Sequence, residues 1–361
     1  MTARATRHLV VILAPIVALA LSAPVVAQSK DDKKLRENQQ KAAQSLMRVV
    51  DHAMASGIAP GTAMFTVSPS GKDAPVAGPA GPRVVWRNDV LRAGDGKAYM
   101  PYTVIVEPGK LPAGTMAVML RAAPKGATPP EKEAEKAQYP WQDFYYTDLK
   151  ASGPDGGLTL TRVLQLSGGT YDVYVAMRPF AGEIGKEKQP VPVAVFKGEL
   201  VVENYSATGL TTSSILLVRK VEDVPGQVTP EIQRERPYIM GSIEMVPSFD
   251  GKYKKADEFT TYFQVYNATI QEKKPDLTVE YAFYRKDGAE EKYFNKTNPQ
   301  QFNAKTLPAA WDAEMGHVIS AGQSIPLTSF PAGDYRLEIK VTDNRSSSTI
   351  NRNVTFSVAE P

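Results

Sequence analysis

The run Tyr171-Asp172-Val173-Tyr174-Val175-Ala176-Met177 alternates so that Tyr171, Val173, Val175 and Met177 share one side of an extended chain. Tyr335, Leu337, Ile339 and Val341 do the same against Arg336, Glu338 and Lys340, which gives a strand with one dry and one wet face. Tyr102, Val104 and Val106 share a side opposite Thr103 and Ile105. This period of two recurs in short runs separated by glycine turns such as Gly94-Asp95-Gly96, Gly156-Gly157 and Gly168-Gly169. No regular strand–helix alternation interrupts it, so a doubly wound α/β fold is excluded and a mainly β chain is expected.

The alternation predicts a first set of strands at 83–86, 98–107, 115–121, 141–150, 158–166, 170–178, 191–200 and 214–218. A second set falls at 238–245, 258–266, 277–285, 292–294, 323–326, 334–342 and 348–358. Between them, 221–236 is poor in bulky residues and reads as a linker. The expected fold is two immunoglobulin-like β-sandwich domains, 83–220 and 237–361, preceded by an amphipathic helix within 28–60 and a Pro/Gly-rich linker over 61–82. In the helix, Leu46, Val50 and Met54 form the strongest apolar line, and Gly57 and Pro60 stop it. Its first half is highly charged and reads as solvated.

The N-terminus carries Arg4, Arg7 and His8, then an apolar run from Leu9 to Leu21, then Ala23-Pro24-Val25-Val26-Ala27. That order is the pattern of a secretory signal peptide over 1–27. Export to the periplasm, the cell surface or the medium is expected, with no transmembrane segment after cleavage. The full chain has 42 basic and 39 acidic residues. Loss of two arginines with the signal leaves the mature protein near neutrality, so nucleic acid is not an expected partner.

The two blocks share a device. Leu166-Ser167-Gly168-Gly169-Thr170-Tyr171 and Phe330-Pro331-Ala332-Gly333-Asp334-Tyr335 each place an apolar residue and a glycine turn before a tyrosine that opens an alternating strand. Such a tyrosine can fill the end of a sandwich core and set its hydroxyl on loop backbone. The segment Pro331 to Asp343, with its last strand Ile350–Val358, resembles the closing β-sandwich segment of secreted bacterial proteins, including acidobacterial relatives of the GWxTD-domain group. The Gly-Trp-x-Thr-Asp motif itself is absent. The resemblance implies an exported β-sandwich module and brings no catalytic residue.

The chain has no cysteine, which excludes disulfides, thiolate metal sites and a cysteine nucleophile. Its histidines are His8, His52 and His317, without a ligand motif, and no Gly-x-Ser-x-Gly elbow or glycine-rich nucleotide loop is present. Carboxylates are common (among them Asp143, Glu244, Asp257, Glu258 and Glu280), but no spacing singles out a catalytic pair. The sequence therefore points to no enzyme and no cofactor. What stands out is aromatic density. Trp141, Phe144 and Tyr146, then Tyr262 and Tyr266, then Tyr284, are expected to face outward in part and, with Leu46, Val50 and Met54, to offer interface candidates. The expected role is structural or protein-binding in the cell envelope, with another envelope protein or a second copy as partner. Glycan binding is the alternative.

Overall fold

The computed structural model describes residues 30–360 except 69–73, 110, 112–113, 131–137, 152–155, 181–188, 206–208 and 289. The signal-peptide pattern lies outside the described residues. In chain order the elements are helix α1 (Lys30–Ala55), then β1 (Gly61–Val67), β2 (Val76–Ala80), β3 (Val84–Asn88), β4 (Leu91–Arg92), β5 (Ala98–Val106) and β6 (Gly114–Pro124). Next come β7 (Trp141–Ala151), β8 (Leu158–Leu166), β9 (Gly169–Pro179), β10 (Val191–Val202), β11 (Thr211–Thr212) and β12 (Leu216–Asp223). Helix α2 (Pro230–Glu235) leads to β13 (Ile239–Met240), β14 (Ile243–Pro247), β15 (Lys252–Lys254), β16 (Glu258–Tyr266), β17 (Leu277–Asp287) and β18 (Glu290–Lys296). The last strands are β19 (Gln300–Phe302), β20 (Ile319–Pro326), β21 (Gly333–Asp343) and β22 (Thr349–Ala359). The protein is mainly β, as the alternation requires.

The chain divides into two compact units. One combines Asp89–Pro101 with Tyr205–Pro361; the other combines the described residues up to Asn88 with Tyr102–Asn204. This differs from a division at 221–236. That segment contains the end of β12, which pairs with β14, and the short helix α2, so it belongs inside a unit. The 61–82 stretch likewise is not a bare linker. It carries β1 and β2, paired with each other, and β1 is further paired with β10. Phe65 and Val67 supply buried apolar contacts there, while Pro79 sits on an edge strand, where a missing N–H is tolerated.

The helix-bearing unit holds the sheet ordered β2-β1-β10-β9-β6-β7-β8-β5-β3, with β5 from Tyr102 onward. Helix α1 covers one face of it. Ala42, Leu46, Val49, Val50, Ala53 and Met54 recur at spacings of three and four and are buried against Ala117, Met119, Tyr174, Ala176, Val193 and Val195. The helix ends in a Schellman turn. Gly57 takes φ +60°, its N–H bonds the Met54 carbonyl, and the Ile58 N–H bonds the Ala53 carbonyl. Trp86 of β3 stacks on Tyr102 at 4.7 Å and on Phe196 of β10 at 6.2 Å, so strands distant in the sheet order face each other. Because β6, β9 and β10 are covered on both faces, they read as nearly continuous apolar runs.

In the other unit two sheets share one core. The first orders β11-β16-β12-β14-β13, with β20 on the far side of β16; the second orders β15-β22-β21-β17-β18, with β19 also paired to β17. Phe259, Phe263 and Val265 from the first meet Tyr281, Phe283, Leu337, Ile339 and Phe356 from the second. Both tyrosines of the shared device reach backbone four residues upstream. The Tyr171 hydroxyl donates to the Ser167 carbonyl at 2.9 Å, and that of Tyr335 to the Pro331 carbonyl at 2.6 Å.

Candidate functional site

The aromatic interface candidates are distributed unevenly. Leu46, Val50 and Met54 are spent inside the helix-bearing unit and are not open to a partner. Phe144 and Tyr146 flank the same contact, and the Tyr146 hydroxyl donates to the Gln39 carbonyl at 3.0 Å. Trp141 is half-buried in β7, opposite Ala122. Tyr262 and Tyr266 are buried in β16. Gln264 joins them: its amide nitrogen donates to the Tyr262 hydroxyl at 3.1 Å, and its carbonyl oxygen accepts from the Tyr266 hydroxyl at 2.6 Å. The Arg92 guanidinium lies 4.6 Å above the Tyr266 ring. Burial pushes both phenols up, that of Tyr266 well up. These tyrosines failed the outward expectation because polar atoms beside them satisfy their hydroxyls, which lets the rings be covered.

Tyr284 differs. It lies on the outer face of the second sheet, half-buried, opposite Arg336 of β21 on one side and Tyr293 of β18 on the other. A register shift between Phe283 and Tyr284 makes this arrangement. Phe294, next in sequence to Tyr293, packs against Phe330 at 4.9 Å and Tyr335 at 5.4 Å. The irregularity thus lets Phe294 join the core contacts while Tyr293 remains 58% exposed. The two tyrosine rings meet edge to face at 6.0 Å and 81°.

Arg336 organises the surroundings. Its guanidinium lies 4.3 Å above the Tyr284 ring. Nε donates to Glu291 at 2.7 Å, and Nη1 donates to Glu338 at 3.0 Å and to Asn353 at 2.6 Å. Strands β18, β21 and β22 are thereby tied together across one face. Farther along, Lys340 pairs with Glu280 at 3.4 Å. At the far end Thr278 donates to Gln301, and Thr342 bonds Thr349. The side chains are polar and mutually bonded, and most of their charges are matched within the sheet.

A hollow of about 180 Å³ opens at the other end of this face, lined by Asp250, Lys286, Asp334, Thr355 and Ser357 among others. Gly251 shapes its floor. It has φ +62°, and a Cβ there would stand 3.2 Å from the Thr355 carbonyl oxygen. Asp250 is committed, accepting from Arg219 at 2.9 Å, Ser248 at 3.3 Å and the Lys252 N–H at 3.1 Å. Among the described residues neither the Lys286 ammonium nor the Asp334 carboxylate has a protein partner.

Sequence reasoning found Tyr284 and the wet face of β21 but missed Tyr293, Arg336 as an organiser, and the hollow. Arg336 and Tyr293 are legible only once β17 is known to lie between β21 and β18. Among the described residues no group of three His, Cys, Asp or Glu side chains converges as a metal site, and no helix is long and apolar enough to cross a membrane. The chain matches no family model and no curated protein.

Proposed function

We propose that this protein is an exported, non-catalytic binding protein of the bacterial cell envelope, whose recognition surface is the outer face of the second sheet. The observation that carries the reading is Tyr293, exposed yet braced by Tyr284, on a face already ordered by Arg336. A preordered surface loses little side-chain freedom on binding, which favours recognition by surface complementarity over a moving cleft. The signal-peptide pattern supports export. The C-terminal unit, with two sheets on one aromatic core, supports an immunoglobulin-like module. The acids of the face are held by bases, Glu280 by Lys340 and Glu291 and Glu338 by Arg336, which suits binding better than acid–base chemistry.

The test is retention on washed envelope from the native source. Wild-type protein is expected to sediment with it, and Y293A with R336Q to stay in the supernatant while keeping the wild-type circular dichroism. Equal retention of the double variant overturns the choice of face.

A further inference from the structure

Resting on that reading of the face, we infer that its ligand is an uncharged polysaccharide, one sugar stacking on Tyr293 and another entering the hollow lined by Lys286, Asp334 and Ser357. The first argument is charge. Arg336 and Lys340 are already matched by Glu291, Glu338 and Glu280, and the two unpaired charges beside them, Lys286 and Asp334, are of opposite sign, so the face offers an acidic or basic polymer no excess of either charge. An uncharged ligand rich in hydroxyls needs none.

The second argument is the aromatic surface. Arg336 lies above the Tyr284 ring, and Tyr284 braces Tyr293 edge to face. Tyr293 is therefore the ring left open, a single apolar plate in polar surroundings. That is too little apolar area for the desolvated centre of a protein interface. It suits the apolar face of one sugar ring.

The third argument is the hollow. Its volume of about 180 Å³ is room for several water molecules. The Lys286 ammonium offers only donors, the Asp334 carboxylate only acceptors, and Ser357 and Thr355 offer both. Adjacent hydroxyls on a sugar are each donor and acceptor and match such a mixed set. The row Tyr293–Tyr284–Arg336–Thr355 and the hollow lie on neighbouring rows of one sheet. From β18 to β22 is three strand spacings, about 14 Å, so a chain of a few sugars spans both.

The experiment is affinity electrophoresis of the full mature chain in gels carrying hydroxyethylcellulose, xylan, galactomannan or mixed-linkage β-glucan, with alginate and polygalacturonate as acidic counterparts. At least one neutral polymer is expected to retard the protein, and the acidic ones are not. Y293A weakens the association about five- to tenfold, Y293F preserves it, and D334N and K286M each weaken it. Absence of retardation by every neutral polymer overturns the inference, as does retardation indifferent to Y293A, D334N and K286M. If none is retarded while envelope retention still depends on Tyr293, the recognition face stands and its ligand is instead a protein. Indifference of both readouts to Tyr293 removes the face itself.

Discussion

The Tyr238 hydroxyl donates a 2.8 Å hydrogen bond to Oδ2 of Asp89, the side-chain bond that this carboxylate receives among the described residues. Burial raises the Asp89 pKa from 3.8 to about 6, against the smaller lowering effect of the tyrosine bond. The folded protein therefore holds this proton more tightly than the unfolded chain. The associated stability is fully present below about pH 4 and is lost as pH rises through 6. D89N is expected to stabilise by about 1–3 kcal/mol at pH 7.5 and by little at pH 4. Urea denaturation at both pH values checks this, and a pH-independent difference would rule out the burial account.

Helix α1 offers a contrast within one element. Leu46 is fully buried, whereas Leu35 is 44% exposed. L46A is expected to cost about 2–5 kcal/mol, and L35A less than about 0.5 kcal/mol. Equal small effects in denaturation curves would mean that the helix is not docked in solution. Deleting 30–60 is accordingly expected to unfold its unit, read as loss of its sheet circular-dichroism signal, since the sheet face beneath would lose its cover.

Arg121 is buried and donates through Nη1 to Asp51 of α1 and through Nε to Gln142 at 2.9 Å, with the Tyr139 ring 4.0 Å from its guanidinium. R121M removes the charge but keeps most of the bulk, whereas D51A strands a buried cation. D51A is thus expected to be the more destabilising, by about 1–3 kcal/mol, as read from thermal melts. The reverse order would count against the pairing.

The paired tyrosine hydroxyls also make a prediction. Y171F and Y335F each remove one bond to a loop carbonyl and leave the ring in place, at a cost of about 1 kcal/mol apiece. Since Tyr171 and Tyr335 belong to different units, differential scanning calorimetry should show each substitution shifting a different transition.

Most strands were legible because the local signal was complete. The expected 258–266 and 158–166 coincide with β16 and β8, where alternation and glycine or charged breaks agree. At 61–82, by contrast, Pro79 and the glycines hid an edge strand, and nothing local announces that β1 pairs with β10. The division of the chain was hidden for the same reason, because Asp89–Pro101 joins residues more than a hundred positions away. Of the candidate site, Tyr284 was accessible from alternation. Tyr293 depended on the bulge opposite Phe283 and Tyr284, a property of the paired strands rather than of either sequence.

The pairing of Gly61–Val67 with Lys197–Val191 sets an order of events. The helix and first strand leave the ribosome before the strand that completes their shelter has been made. Leu46, Val50 and Phe65 therefore lack part of their cover until β10 arrives. Closure over so long a sequence separation is slow. The earliest part of this unit to be made is among the last to become protected, and during that interval its apolar stripe is what a chaperone would hold and a protease would cut.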